Sequence, residues 1–271
     1  MGRTTLIFFF LARSAMAWHD PVHELITRVA LQSLPPFMRQ LWAKESSNLA
    51  TRYCLYPDIY HNAEPAEKAR MKVFCEVGGR SIHNVTWKRD EDIQSLEYLL
   101  RNVAEKIRSG DSAAAAQFAG TLAHIVEDST CPAHALTPLD SPLNLMRELL
   151  PPPPGKQDIE LYTVIERSSP SFNLDSRPPR TVGETVPQAA AALLDRIYSA
   201  IRVNRAGLIQ LVQSAYADDR PAMDRFRLKA ATAGAEILAD AYYTAFPLSG
   251  IKAAAANAQT KPKPAMIGAG R

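Results

Sequence analysis

Beyond its first 17 residues, the chain has no apolar run long enough to span a bilayer, and it has no strand-like alternation and no internal repeat. These absences argue against an integral membrane protein, a β-sheet protein and a repeat protein. Apolar residues instead recur at helical spacing, and they predict helices over residues 90–109, 185–203, 206–217 and 221–246. The sequence therefore predicts an all-α fold.

The sequence also lacks a strong excess of charge, because its formal net charge is only +3. Residues 1–17 hold two arginines and residues 252–271 hold four basic residues, and neither segment contains an acid. The body between these two segments is therefore slightly acidic. Such a body does not attract nucleic acid by charge alone.

The first 17 residues have the features of a secretory signal peptide. Arg3 precedes an apolar run that is too short to span a bilayer, and residues 15–17 form an A-x-A cleavage site. We expect cleavage after Ala17, so that the mature protein begins at Trp18. The expected location is secreted or periplasmic.

After cleavage we predict one domain over residues 18–251, which is long enough to form one substantial core. Residues 252–271 are rich in alanine, lysine and proline, and we predict a disordered tail there. Residues 137–182 are rich in proline, and we predict a partly irregular excursion at the rim of a cleft. We expect the protein to be a monomer.

The stretch G-T-L-A-H-I-V-E-D-S-T-C-P-A-H runs from Gly120 to His134. Helix-favouring, alanine-rich sequence leads into it, so His124 and Asp128 should lie one turn apart on one helix face. Pro132 is incompatible with the interior of this helix, and we expect a turn that brings His134 back. Imidazoles and carboxylates bind zinc, and one carboxylate can bridge two ions. A capped helix end with two hydrogen-bonded histidines is the alternative.

This spacing resembles the signature G-x3-H-x3-D-x3-P-x-H of the zinc-dependent phospholipase C and S1/P1 nuclease superfamily. The resemblance implies a single-domain, multi-helix bundle of the phospholipase C/P1 nuclease type with three zinc ions in a cleft. It also implies that one zinc is bound by the amino group and carbonyl of an N-terminal tryptophan, here Trp18. His23, five positions later, then corresponds to the first histidine ligand.

The same resemblance implies further ligands between these two segments. Asp58 would bind zinc and act as general base for the attacking water, although a turn aspartate after proline is a common alternative. His83 corresponds to a ligand by its order along the chain alone, and Asp128 would bridge two ions. The complete ligand set that the resemblance implies is Trp18, His23, Asp58, His83, His124, Asp128, His134 and Glu166.

The sequence departs from the family pattern after His134, which is the last of its six histidines. The family has a further histidine at this point, followed four residues later by an acid. Here Tyr162 would replace that histidine and Glu166 would keep the acid, with nearby alternatives at Glu148, Asp158 and Glu160. We therefore expect two zinc ions and leave the third open.

The chain has only three cysteines, and export would permit disulfides between them. Cys54 and Cys75 bracket Asp58, so a bridge between them would brace the segment that carries this aspartate. Cys131 would be left over inside the metal motif, as a buried thiol or a softer ligand.

The resemblance implies phosphodiester hydrolysis, and a phospholipase C-like enzyme acting on a phospholipid or another phosphodiester is our first expectation. The segment A-L-Q-S-L-P-P-F-M-R looks like bacterial phospholipase members, and the acidic body fits poorly with a polyanionic substrate. An S1/P1-type single-strand nuclease or 3′-nucleotidase is the second, favoured by the short W-x4-H spacing. The third is a non-catalytic zinc- or lipid-binding relative, suggested by the missing histidine.

Overall fold

The computed structural model describes residues 20–134, 150–155, 164–165 and 173–251. The helices and strands of these ranges are, in chain order, α1 (Asp20–Ser33), α2 (Pro36–Trp42), α3 (Ser46–Thr51), α4 (Tyr56–Asn62), α5 (Pro65–Cys75), β1 (Glu76–Val77), β2 (Arg80–Ser81), α6 (Arg89–Ser109), α7 (Ser112–Thr130), α8 (Val186–Tyr216) and α9 (Arg220–Leu248). Short 3-10 turns span Tyr53–Leu55 and Pro132–His134. The predicted all-α class is confirmed. Within these ranges, no helix is both long enough and apolar enough to cross a bilayer.

Helix α7 lies at the centre of the fold, and every residue of its second half, 120–130, is buried. Helices α1, α6, α8 and α9 pack around it, together with the turn at Tyr53–Leu55. Asp111 caps its start by accepting a hydrogen bond from the backbone N–H of Ala114. Because α7 is enclosed, each charged side chain in its second half must find a partner inside the protein.

Gly120 allows the Tyr53–Leu55 turn to lie directly against α7. A Cβ atom at this position would overlap the backbone carbonyl carbon of Tyr53. The missing side chain therefore lets the two backbones approach closely. This contact determines where the carbonyl group of Cys54 and the start of α4 lie relative to α7.

A small hairpin between α5 and α6 leads the chain towards His83. Gly78 and Gly79 have φ angles of 57° and 77°, the positive values that a two-residue hairpin turn requires. Strand β1 pairs antiparallel with β2, and the backbone N–H of Ile82 donates to the carbonyl of Cys75 at 2.8 Å. The hairpin thus returns the chain to the end of α5, next to the segment that carries His83.

Helix α8 is continuous from Val186 to Tyr216, so the predicted break between residues 203 and 206 is wrong. Two residues near the predicted break, Asn204 and Gly207, make contacts from within the helix. Asn204 donates from Nδ2 to the carbonyl of Thr130 at 2.7 Å. A Cβ atom on Gly207 would lie 2.9 Å from the ring of Phe226, so the glycine makes room for that ring.

The three cysteines are buried thiols, and the bridge considered between Cys54 and Cys75 does not form. The two side chains have different neighbours. Cys54 donates from Sγ to the carbonyl of Ala50 at 3.1 Å, whereas Cys75 Sγ lies 4.0 Å from the hydroxyl of Thr121. Burial raises the pKa of the Cys75 thiol to about 12, so this thiol stays protonated.

The proline-rich segment is described at residues 150–155, 164–165 and 173–182. The first and last of these parts contain no helix or strand, whereas residues 164–165 are helical. This agrees with the partly irregular structure predicted there.

Candidate metal centre

Helix α7 places His124 and Asp128 on the same face, as the spacing predicts. Both side chains are fully buried, and His124 Nε2 lies 3.2 Å from Asp128 Oδ2. The helical turn between them makes this contact local, because residues four apart are neighbours on a helix surface.

Helix α1 brings His23 to the other oxygen of Asp128. The distance from His23 Nε2 to Asp128 Oδ1 is 3.5 Å. The rings of His23 and His124 are parallel, with centroids 4.9 Å apart. The two oxygens of Asp128 thus face two different histidines, which is the arrangement that a bridging carboxylate needs.

Helix α4 adds Asp58, which lies in its first turn and is only 5% exposed. The alternative of an exposed turn aspartate is therefore wrong. Asp58 Oδ1 lies 2.9 Å from His83 Nε2 and 3.8 Å from His124 Nε2. His83 is partly exposed, and its Nε2 lies 3.8 Å from Asp128 Oδ2. Asp58 and Asp128 therefore approach the same two imidazoles from different helices.

Two overlapping groups of side chains bring ligand atoms within 4.8 Å of one another. The first group is His23, Asp58 and His124, and the second is His83, His124 and Asp128. Each group combines imidazole nitrogen with carboxylate oxygen, the donor types that zinc accepts. Either group could therefore hold a metal ion.

Among the described residues, several buried atoms at this centre have no hydrogen-bond partner. They are His23 Nε2, His124 Nε2, Asp58 Oδ2 and both carboxylate oxygens of Asp128. Buried polar atoms without partners are rare and costly in folded proteins. Their convergence on one place indicates a ligand, and a cation is the ligand that both lone-pair nitrogens and carboxylates prefer.

The hydrogen bond of His124 shows which of its two ring nitrogens carries the proton. Its Nδ1 lies 2.7 Å from the carbonyl oxygen of Cys54, and a carbonyl can only accept, so Nδ1 carries the proton. In the neutral ring, Nε2 then presents a lone pair to the carboxylate of Asp128. Two lone pairs at this distance repel each other unless a proton or a metal ion lies between them.

Electrostatics at the centre follow from these contacts. Burial by itself would lower the pKa of His124, but the negative charges of Asp128, Asp58 and Glu127 raise that pKa to about 9. Burial would raise the pKa of Asp128, but His124 and then His83 hold that pKa well below its usual range. A proton therefore occupies this pair at neutral pH in metal-free protein, and a metal ion must displace it.

Glu127 belongs to the centre although the sequence analysis assigned it no role. It is fully buried, with Oε2 2.7 Å from His23 Nδ1, and its Oε1 accepts a hydrogen bond from Thr27 Oγ at 2.6 Å. The signal for it was present, because a charged residue inside the apolar run before Asp128 must be paired when that helix is buried.

His134 lies in the 3-10 turn that follows α7, and its backbone N–H donates to the carbonyl of Cys131 at 3.0 Å. Burial lowers the pKa of His134 and so do three other imidazoles of the centre, while Asp128 opposes them. The charged groups of the centre therefore influence the pKa of His134. Within the described ranges, however, His134 belongs to neither group of converging ligand atoms.

Two expected ligands, Trp18 and Glu166, lie outside the described residues, as does Tyr162. His61 is exposed on the last turn of α4, and its ring centroid is 6.5 Å from that of His83. The structure thus brings together five of the eight expected ligands: His23, Asp58, His83, His124 and Asp128.

No protein-family model, no curated protein and no solved structure matches this chain. Function must therefore be inferred from the site itself.

Proposed function

We propose that the chain is a zinc-dependent phosphodiester hydrolase, similar to phospholipase C, that acts after export and removal of residues 1–17. The observation that carries the proposal is the position of Asp128. Within the part of the chain that the structure describes, neither of its buried oxygens has a hydrogen-bond partner, and each faces the Nε2 atom of a different histidine. A carboxylate in this position is suited to join two ions.

The residues that would hold the ions divide into two sets with one shared member. Asp58, His83, His124 and Asp128 would hold one ion. His23 and Asp128 would hold the other with the amino group and carbonyl of Trp18. His23 supports this second set, because it lies near the start of α1, which begins two residues after Trp18.

The charge of such a centre favours an anionic substrate. Among the described residues, Asp58, Asp128 and Glu127 are the carboxylates that approach the converging histidines, and their three charges do not neutralise two divalent cations. The remaining positive charge, enclosed by buried side chains, would attract a phosphate group. Bound zinc would supply Lewis acidity, which neutralises charge on a phosphoryl group and lowers the pKa of water towards neutrality.

Asp58 is the residue that we assign as general base. Its Oδ1 is held by His83 at 2.9 Å, while its Oδ2 is buried and has no hydrogen-bond partner among the residues that the structure describes. One oxygen is therefore fixed, and the other can accept a proton from an attacking water. His83 is the most exposed member of the centre, so the substrate would approach from its side.

The experiment measures zinc content and hydrolysis on the same preparation. Protein that begins at Trp18 is dialysed, its zinc is determined by elemental mass spectrometry, and it is assayed with a choline phosphodiester and with single-stranded DNA. Two zinc ions and hydrolysis of the choline phosphodiester are expected, and both should disappear in Asp128→Asn. Hydrolysis of DNA alone would favour the nuclease reading, and zinc without hydrolysis would favour a non-catalytic metal-binding protein.

A further inference from the structure

Glu127 and Asp128 are adjacent acids on one buried helix, but their side chains differ in their hydrogen bonds. Asp128 presents both oxygens to the converging histidines without a hydrogen bond, whereas both oxygens of Glu127 are occupied. Glu127 Oε2 bonds to His23 Nδ1, and its Oε1 accepts from Thr27, which lies one helical turn after His23 on α1. Burying an ionised carboxylate costs desolvation free energy, so we expect an interaction of Glu127 that compensates for it.

The contact with Glu127 selects one form of His23. An ionised carboxylate can only accept, so the proton of the neutral ring lies on Nδ1 and the lone pair lies on Nε2. Nε2 is the nitrogen that lies 3.5 Å from Asp128 Oδ1, and in the described ranges it has no hydrogen-bond partner. Glu127 thus directs the metal-binding nitrogen of His23 into the centre and holds the ring there.

The stacked partner of His23 is held in a different way. His124 Nδ1 donates to the neutral carbonyl of Cys54 at 2.7 Å. A carboxylate behind an imidazole raises its basicity more than a carbonyl does, because the carboxylate carries a full negative charge. The two parallel histidines are therefore unequal ligands, and the inequality comes from Glu127.

We propose that Glu127 is a positioning residue, fixed by Thr27, that makes His23 the stronger ligand and so controls the affinity of the ion shared by His23 and Asp128. The proposal depends on the metal centre proposed above. It predicts that the two ions respond differently to loss of this one charge.

Glu127→Gln tests the charge with little change of shape. The glutamine carbonyl can still accept from His23 Nδ1, and its amide can donate to Thr27 Oγ, so both hydrogen bonds can be kept. In a titration against a competing chelator, we expect one zinc ion to bind about 10- to 100-fold more weakly. The other ion should change much less. Thr27→Val, which removes the hydroxyl donor, should weaken the same ion by a smaller factor.

The matched control is Glu105→Gln, which removes one negative charge from an exposed position on α6. Both ions should keep the wild-type affinity in this variant. Circular dichroism and thermal unfolding of all four proteins check that differences in zinc binding do not come from loss of the fold.

A second measurement does not require zinc. In ¹⁵N-resolved proton NMR of metal-free protein, His23 should show a strongly deshielded Nδ1–H proton and the tautomer with the lone pair on Nε2. Glu127→Gln should move this proton upfield because the acceptor loses its charge. A purely structural role for Glu127 would leave the chemical shift of this proton unchanged in a folded variant.

Two results would overturn the inference. One is wild-type affinity for both ions in folded Glu127→Gln, and the other is equal weakening of both ions. Failure of the proposed metal centre looks different, because wild-type protein itself would then bind no zinc, and no chelator titration would distinguish any variant. In that case the NMR measurement still decides whether Glu127 sets the form of His23.

Discussion

The imidazole rings of His23 and His124 stack in parallel planes with their centroids 4.9 Å apart. Both rings are fully buried, so two imidazolium ions at this separation would be strongly unfavourable. A single imidazolium ion beside the nearby carboxylates avoids this repulsion. Two neutral rings whose lone pairs bind metal ions avoid it as well. The stack therefore makes the centre sensitive to the competition between protons and metal.

Metal-free protein should lose stability as the pH rises past neutrality. The folded pKa of His124, about 9, is above its unfolded value of 6.5. Its contribution is therefore complete below pH 6.5 and is lost as the pH rises through about 9. The size of the shift corresponds to a loss on the order of 3 kcal/mol. Urea unfolding of chelated protein at pH 6 and pH 9.5 measures it.

The stability that Asp128 contributes depends on pH in the opposite direction to that of His124. The pKa of Asp128 is held below its unfolded value of 3.8, so its contribution is present above that pH and is lost as the pH falls towards the folded value. Asp128→Asn removes the partner of His124 and should flatten the alkaline loss. An unchanged slope in this variant would mean that the His124 charge is not stabilised by Asp128.

Gly120→Ala should disrupt the centre although Gly120 binds nothing. Its added Cβ would overlap the backbone of Tyr53, so the Tyr53–Leu55 turn must move away from α7. We expect a stability loss of about 1–3 kcal/mol from overpacking. Zinc affinity should fall as well, because the moved turn carries the carbonyl that holds His124. Urea unfolding and a chelator titration measure the two effects.

Gly110→Ala is the control for this prediction. Gly110 has a φ of 75° at the end of α6, and no atom lies within 4 Å of an added Cβ. Alanine there costs about 1–2 kcal/mol through backbone strain alone. Zinc affinity should stay at the wild-type level. Equal effects of both variants on zinc binding would show that the Gly120 contact has no special relation to the centre.

The local part of the centre could be predicted from the sequence, because helical periodicity alone puts His124 and Asp128 on one face. His23, Asp58 and His83 come from three other segments, and only the resemblance and the chain order suggested them. Their convergence depends on how α1, α4 and the hairpin pack on α7, and no local pattern encodes that packing.

Glu127 shows why the rest could not be predicted. Successive residues of a helix point about 100° apart, so Glu127 and Asp128 face different neighbours. Which neighbour Glu127 meets depends on the position of α1, which the sequence does not reveal. The continuous helix α8 has a similar origin, since tertiary contacts of Asn204 and Gly207 outweigh their low helix propensity.

The mature amino terminus should be part of the centre. If the amino group of Trp18 is a ligand, protein that starts with an extra methionine or a short tag should bind one ion less tightly and lose most of its hydrolytic rate. Protein exported and processed by the cell should not. N-terminal sequencing identifies the start, and zinc analysis of the tagged and processed forms gives the comparison. Full zinc content and full activity in the tagged form would remove Trp18 from the ligand set.

Asp128 and Asp58 should differ when each is changed to asparagine. Asp128 faces both His23 and His124, so Asp128→Asn takes a negative charge from between two ions. The affinity for each ion should fall by more than about 100-fold, which exceeds the effect of changing a residue that only supports a ligand. Asp58 lies 2.9 Å from His83 and 3.8 Å from His124, and we assign it to the ion that these two histidines would share. Asp58→Asn should therefore keep much of its zinc.

Turnover separates the two variants further. As general base, Asp58 should account for about 10²- to 10⁴-fold in rate, so Asp58→Asn should be slow even when it is saturated with zinc. Asp128→Asn should instead recover part of its rate when excess zinc refills the centre. Zinc content and phosphodiesterase rate, measured side by side over a range of zinc concentrations, give this comparison. If Asp128→Asn retains its zinc and its rate, the centre is not built on α7, and the proposed function fails with it.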